Sequence, residues 1–144
     1  MTGRQDEPSS PRLLRFSTGR VPASHRIEHW ASHDAEALIG LDIRTLENSP
    51  LMAEEINLHF PARRFARVKG SAQIAERSER LIAEHTTGDV AMFFALGGKA
   101  FFQHSTGMIL PTAGRAVLHD ADQPFVRGFS YGVREPALTV SREE

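Results

Sequence analysis

The run Val90–Ser105, VAMFFALGGKAFFQHS, decides the reading of the fold. Two aromatic-rich stretches flank Gly97-Gly98, and a pair of glycines readily supplies the positive φ angles of a primed turn, so the run predicts a β-hairpin. Further along the chain in both directions, short segments of β character recur: DIRTL (42–46), EEINLHF (54–60), RRFARVKG (63–70), GMIL (107–110), RAVLHD (115–120), PFVRGFS (124–130) and PALTV (136–140). Several are separated by Gly, Pro, Asn or Asp, the pattern of an all-β sandwich or barrel. Residues 72–84 fit either a helix face, through Ile74, Ser78, Leu81 and Ile82, or a strand running into a loop.

Upstream the period changes. Val21–Leu41 reads as a helix, with Pro22 suited to its first turn, Ile27, Trp30, Ala31, Leu38 and Leu41 at helical spacing, and Gly40 near its end. Residues 1–15 are expected to form a flexible arm, because Pro8, Ser9, Ser10 and Pro11 among charges bury too little to order themselves. Residues 16–144 are expected to form a single domain around one core.

Apolar residues make up 40% and charged residues 24%, within the range of ordinary soluble domains. Lys plus Arg number 17 against 18 Asp plus Glu, a net charge of -1. Phosphate-contacting domains carry a basic excess, so specific binding of duplex DNA by these residues is not expected. Without cysteine there are no disulfides, thiolate metal sites or thiol nucleophiles. The opening MTGRQDEPSSPRLLR has no apolar signal-peptide core, and no run of about eighteen apolar residues offers a membrane span; a cytoplasmic location is expected.

Three motifs are weighed against plainer readings. Gly128-Phe-Ser-Tyr-Gly132 matches the G-x-S-x-G nucleophile elbow, but the elbow needs a following helix and then an acid and a His. Only 12 residues follow it, including Pro136 and no His, so a turn between strands is expected, with no esterase activity. His25, His29 and His33 would stack along one side of the predicted helix, opposite Ile27, Trp30 and Leu38, and read as a solvated face. Arg63, Phe65, Arg67 and Lys69 alternate along a strand, which makes a solvated sheet face the better reading than a nucleic-acid contact.

From Phe16 onward the chain resembles the AraC-binding-like domain of AraC/XylS transcription regulators. The matching residues are Phe16, Ser17, Thr18, Pro22, Arg26 and Trp30, then Arg67, Val68, Gly70, Ser71 and Gln73 in FARVKGSAQ, then VAMFFALGG through Gly107, Gly114 and Gln123-Pro124-Phe125. Arg115 departs from the acidic residue usual after the turn glycine. The likeness covers about residues 16–140. It implies a mainly β (α+β) fold, a cupin-like jelly-roll β-barrel with an N-terminal helix packed on it. It further implies a bacterial module that binds a small effector, forms a homodimer and signals to a C-terminal helix-turn-helix domain lying outside these 144 residues. Metal-dependent cupins use close histidine pairs, whereas His104 and His119 stand apart here, so no metal, no other cofactor and no catalysis are expected. A stand-alone cupin-like enzyme and a dimerisation domain with a filled interior are the alternatives.

Antiparallel counting across Gly97-Gly98 pairs Phe94 with Phe101 and Phe93 with Phe102. One face then carries Ala91, Phe93, Ala95, Ala100, Phe102 and His104, where alanines leave room, two aromatics give flat walls and an imidazole can orient a polar group. Phe93, Phe102 and His104 are therefore predicted to line the effector site, for a small, apolar or aromatic molecule with one polar handle.

Overall fold

The computed structural model describes residues 11–46, 48–94, 96 and 100–142. Strand β1 (Arg12–Ser17) leads through two short 3-10 turns (Thr18–Arg20 and Ala23–His25) into helix α1 (Arg26–Ala37). There follow β2 (Asp42–Thr45), β3 (Ala53–His59), β4 (Arg63–Gly70), β5 (Gln73–Arg77), helix α2 (Glu79–Glu84), β6 (Asp89–Phe94), β7 (Ala100–His104), β8 (Gly107–Ile109), β9 (Ala116–Asp120), β10 (Phe125–Phe129) and β11 (Val133–Ser141). The strands form a six-stranded sheet, β1-β3-β4-β11-β6-β9, and a five-stranded sheet, β2-β5-β10-β7-β8. Every ladder is antiparallel, and among the described residues none joins the two sheets, so the expected closed barrel is a two-sheet jelly roll.

The expected hairpin pairing does not occur. Phe93 pairs with Ala137 and Val117 in the larger sheet, while Phe102 pairs with Arg127 and Ile109 in the smaller one. The run from β6 to β7 crosses between sheets, and Ala95 and Gly97–Lys99 lie outside the described residues. The expected arm is shorter at its inner end: Arg12–Arg15 belong to β1, paired along β3, and residues 1–10 lie outside the described residues.

Helix α1 starts at Arg26, five residues later than expected, because Pro22 opens a 3-10 turn instead. The Arg26 side chain holds this corner by donating to the carbonyls of Val21 (2.9 Å) and Leu51 (3.3 Å). The helix buries Trp30, Asp34 and Ala37, and Ile27, expected on the buried side, is exposed. His25 and His29 are exposed, but His33 is not: it stacks on Phe16 and Trp30 and bonds Asn57. Residues 72–84 resolve into β5 followed by α2, capped by the Ser78 hydroxyl accepting from the Leu81 amide.

Arg77 is fully buried and bolts three loops together, donating to the carbonyls of Gly40 (3.0 Å), His85 (2.8 Å) and Ala121 (2.6 Å). Gly128 is required where it stands, since a Cβ there would lie 2.0 Å from the Phe101 ring on the adjacent strand. Ser130–Gly132 form the turn into β11, with Gly132 at φ +97; strand follows the motif where the nucleophile elbow needs a helix.

Two strands of the larger sheet partly invert the usual alternation. On β3, Glu55 and Asn57 point inward while Ile56 and Leu58 point outward; on β11, Glu135 and Thr139 are buried and Leu138 faces out. A sheet with one solvated face normally places its large apolar residues inside. Here the space between the sheets is partly polar, and the apolar residues on the outer face remain partly exposed.

Candidate functional site

Between the sheets the side chains segregate by chemistry. At one side Phe93 from β6, Phe102 from β7 and Phe125 from β10 pack together, with Phe102 stacked on Phe125 at 5.2 Å and 6.2 Å from Phe93. His119 from β9 meets the edges of Phe102 (5.0 Å) and Phe125 (5.3 Å). Its Nε2 donates to the Gln123 carbonyl, and burial lowers its pKa, favouring the neutral ring. His104 is half-buried at the rim, 6.2 Å from Phe102 and 6.4 Å from His119, with its Nδ1 accepting from the Thr106 amide.

Beyond the aromatics lies a buried ion pair. Arg127 donates to both carboxylate oxygens of Glu135, at 2.7 and 2.6 Å, and its guanidinium lies over the Phe93 ring at 3.8 Å. The outer end of the interior belongs to α1 and β3. Glu55 accepts from the Asn57 amide (2.6 Å), Asn57 Oδ1 bonds His33 Nε2 (2.8 Å), and Trp30 Nε1 donates to Gln73 Oε1 (3.0 Å). Burial, reinforced by the neighbouring Glu55, raises the Asp34 pKa well above the ordinary carboxyl range. Glu55 Oε1 is buried without a hydrogen-bond donor among the described residues.

Two small cavities flank the ion pair. One, of about 20 Å³, is lined by Phe93, Ala100, Phe102, Val117, Arg127 and Glu135; the other, of about 30 Å³, by Trp30, Asp34, Glu55, Gln73, Arg127 and Glu135. Each is large enough for a water molecule and far below the roughly 300 Å³ of a small-molecule pocket. A wider cleft of about 330 Å³ opens at another edge, where the end of α1 meets Arg64, Asp89 and Thr139. Burial raises the Asp89 pKa, Arg64 opposes that shift, and Thr139 Oγ1 is buried without a partner.

The structure brings Phe93 and Phe102 together inside the jelly roll and leaves His104 at its rim. Phe125, which the sequence reading did not include, packs against Phe93, Phe102 and His119 in the same interior. Arg127, Glu135, Glu55 and Asn57 were also missed, because polar residues at alternating strand positions read as a solvent face, and so was Asp34, a lone acid on α1. Their one sequence signal is the competing apolar set, Ile56, Leu58 and Leu138, at the other parity. His104 and His119 do approach each other, but among the described residues no three His, Asp or Glu side chains gather as a metal site.

These features define a cupin-type jelly roll with a polar interior, and comparison with solved structures agrees on the fold. The AraC-like transcriptional activator CuxR superposes with a TM-score of 0.74 at 13% identity, covering 90% of this chain and 47% of that one. The chain thus spans about half the length of that activator. A cupin superfamily protein from Desulfitobacterium hafniense matches with a TM-score of 0.52 at 9% identity, over 68% of this chain and 81% of that one. A conserved protein of unknown function from Streptococcus pyogenes gives 0.50 at 13% identity, over 68% and 80%. No protein-family model matches the chain, and no curated protein matches its sequence. Among the described residues, no helix is long and apolar enough to cross a membrane.

Proposed function

We propose that this chain is the effector-sensing and self-association domain of an AraC-type transcription regulator, without chemistry of its own. The observation that carries the reading is the polar interior: Asp34, Glu55, Arg127 and Glu135 are buried between the two sheets and α1, where apolar filler would often be as stable or more so. Such groups are retained where they recognise something, and the fold shared with CuxR over 90% of this chain supports a regulator as the setting. In this reading the effector is a small molecule with a flat apolar part against Phe93 and Phe102 and a polar handle toward His104 or the Arg127–Glu135 pair. Because the interior cavities are no larger than a water molecule or so, entry requires Phe125 or the ion pair to move. DNA contact belongs to a helix-turn-helix domain following the sensing domain, and the whole works in the cytoplasm.

Trp30 is the single tryptophan and lines the interior, so its fluorescence reports on occupancy. Titration with a panel of small aromatic acids, amines and alcohols should reveal a compound that shifts Trp30 emission and raises the melting temperature. Phe102→Leu should weaken that compound at least tenfold, and fusion to an AraC-type helix-turn-helix pair should make a reporter respond to it. A panel compound that binds with unchanged affinity to Phe102→Leu, or a fusion indifferent to it, would refute the reading.

A further inference from the structure

We infer that the outer face of the six-stranded sheet is the surface on which two copies of this chain associate. Register places one apolar residue from every strand in a single row: Leu13 opposite Leu58, Leu58 opposite Phe65, Phe65 opposite Leu138, Leu138 opposite Met92, and Met92 opposite Leu118. Leu13 and Leu118 are 54% and 64% exposed, Leu58 and Phe65 are also exposed, and Leu138 and Met92 are half-buried. Ile56, Phe60, Phe94 and Val140 widen the row on either side. Among the described residues nothing covers it.

Area and symmetry select the occupant. At about 200 Å² of surface per large apolar side chain, the exposed fractions of the row and its flanks sum to roughly 600 to 700 Å². That exceeds what most monomers leave in one patch and approaches the roughly 800 Å² that each partner contributes to a stable interface. The row is also self-complementary. A two-fold axis in the plane of the face, running along the strands between β4 and β11, sets Phe65 against Leu138 of the partner subunit, Leu58 against Met92 of the partner subunit and Leu13 against Leu118 of the partner subunit. Charges sit at the margin, cations outnumbering the carboxylate: Arg15 and Arg67 beside Ile56 and Pro136, then Glu54, Lys69 and Arg134 side by side. In the pair these ends approach one another at the solvent edge, a mild repulsion that added salt relieves.

This inference rests on the self-association in the reading above, and sedimentation equilibrium tests the two separately. The wild-type chain at about 50 µM should be a dimer, tightening several-fold between roughly 50 and 500 mM NaCl as the marginal cations are screened. Phe65→Lys and, separately, Leu118→Lys, both at exposed positions, should raise the dissociation constant about 100-fold or more while the circular dichroism stays unchanged. A monomeric wild type, its face covered by its own terminal residues or by a different protein, would overturn both self-association and this surface. A dimer indifferent to both substitutions, or one loosened by salt, would overturn the surface alone.

Discussion

Replacing Arg127 by Met removes the cation from an enclosed ion pair while keeping the volume of its stem. The pair is doubly hydrogen-bonded, at 2.7 and 2.6 Å, and its side chains are only 10% and 8% exposed, so solvent screens it little. Removing one member of such a pair strands the other charge and costs about 3 to 5 kcal/mol. Losing the stack over Phe93 at 3.8 Å adds up to about 2 kcal/mol. At about 3 °C per kcal/mol for a domain of this size, the melting midpoint should fall by roughly 10 to 20 °C. Glu135→Leu alone should cost about as much as breaking the pair from the other side, yet the double substitution Arg127→Met with Glu135→Leu should return to within about 2 kcal/mol of wild type, because no charge is then left buried. Urea unfolding followed by Trp30 fluorescence measures all four proteins. If Arg127→Met lies within about 1 kcal/mol of wild type, or the double variant is worse than either single one, the pair is not as enclosed as its burial implies.

Two further substitutions test Asp34 in the interior and Gly128 on the other side of the smaller sheet. Asp34 carries a raised pKa in the folded state, so its ionisation works against folding from the ordinary carboxyl value upward; Asp34→Asn should remove a loss of stability that wild type suffers as pH rises from about 4 toward the folded value, and parallel urea midpoints across that range would refute it. Gly128→Ala should lower stability by about 1 to 3 kcal/mol by pushing the Phe101 ring off its strand, whereas an unchanged melting curve would mean the ring has free space to move.

Much of the fold is legible in the sequence because it depends on local pattern. The α1 segment and nine of the strands follow from periodicity and punctuation. What Gly97-Gly98 cannot reveal is which sheet each flanking strand joins. A turn residue specifies the bend, whereas partners are set by where the whole surface of Phe93 or Phe102 is buried, a matter of distant strands β10 and β11. Side-chain parity survives this error, which is why Phe93 and Phe102 face the same interior even though they do not pair. The polar half of the site is a harder case. In β3 the alternation Glu54-Glu55-Ile56-Asn57-Leu58 reads most simply with Ile56 and Leu58 inside, and only α1, folding back with Trp30, His33 and Asp34, supplies the partners that let Glu55 and Asn57 turn inward.

That inversion also connects the two surfaces. Each strand of the larger sheet has one set of side chains inside and one outside, so turning Glu55, Asn57, Glu135 and Thr139 inward forces Ile56, Leu58 and Leu138 outward on the same backbones. A monomer bears the consequence twice. Inside, two buried oxygens, Glu55 Oε1 and Thr139 Oγ1, lack fixed partners, each costing about 1 to 3 kcal/mol unless a proton, water or ligand supplies one. Outside, a row of apolar side chains meets water at about 25 cal/mol per Å². Apolar side chains at those inward positions would relieve both costs only if Arg127, which Glu135 neutralises, were replaced with them. The costlier alternation on β3 and again on β11 is what the two proposed uses, recognition between the sheets and association on the outer face, would account for.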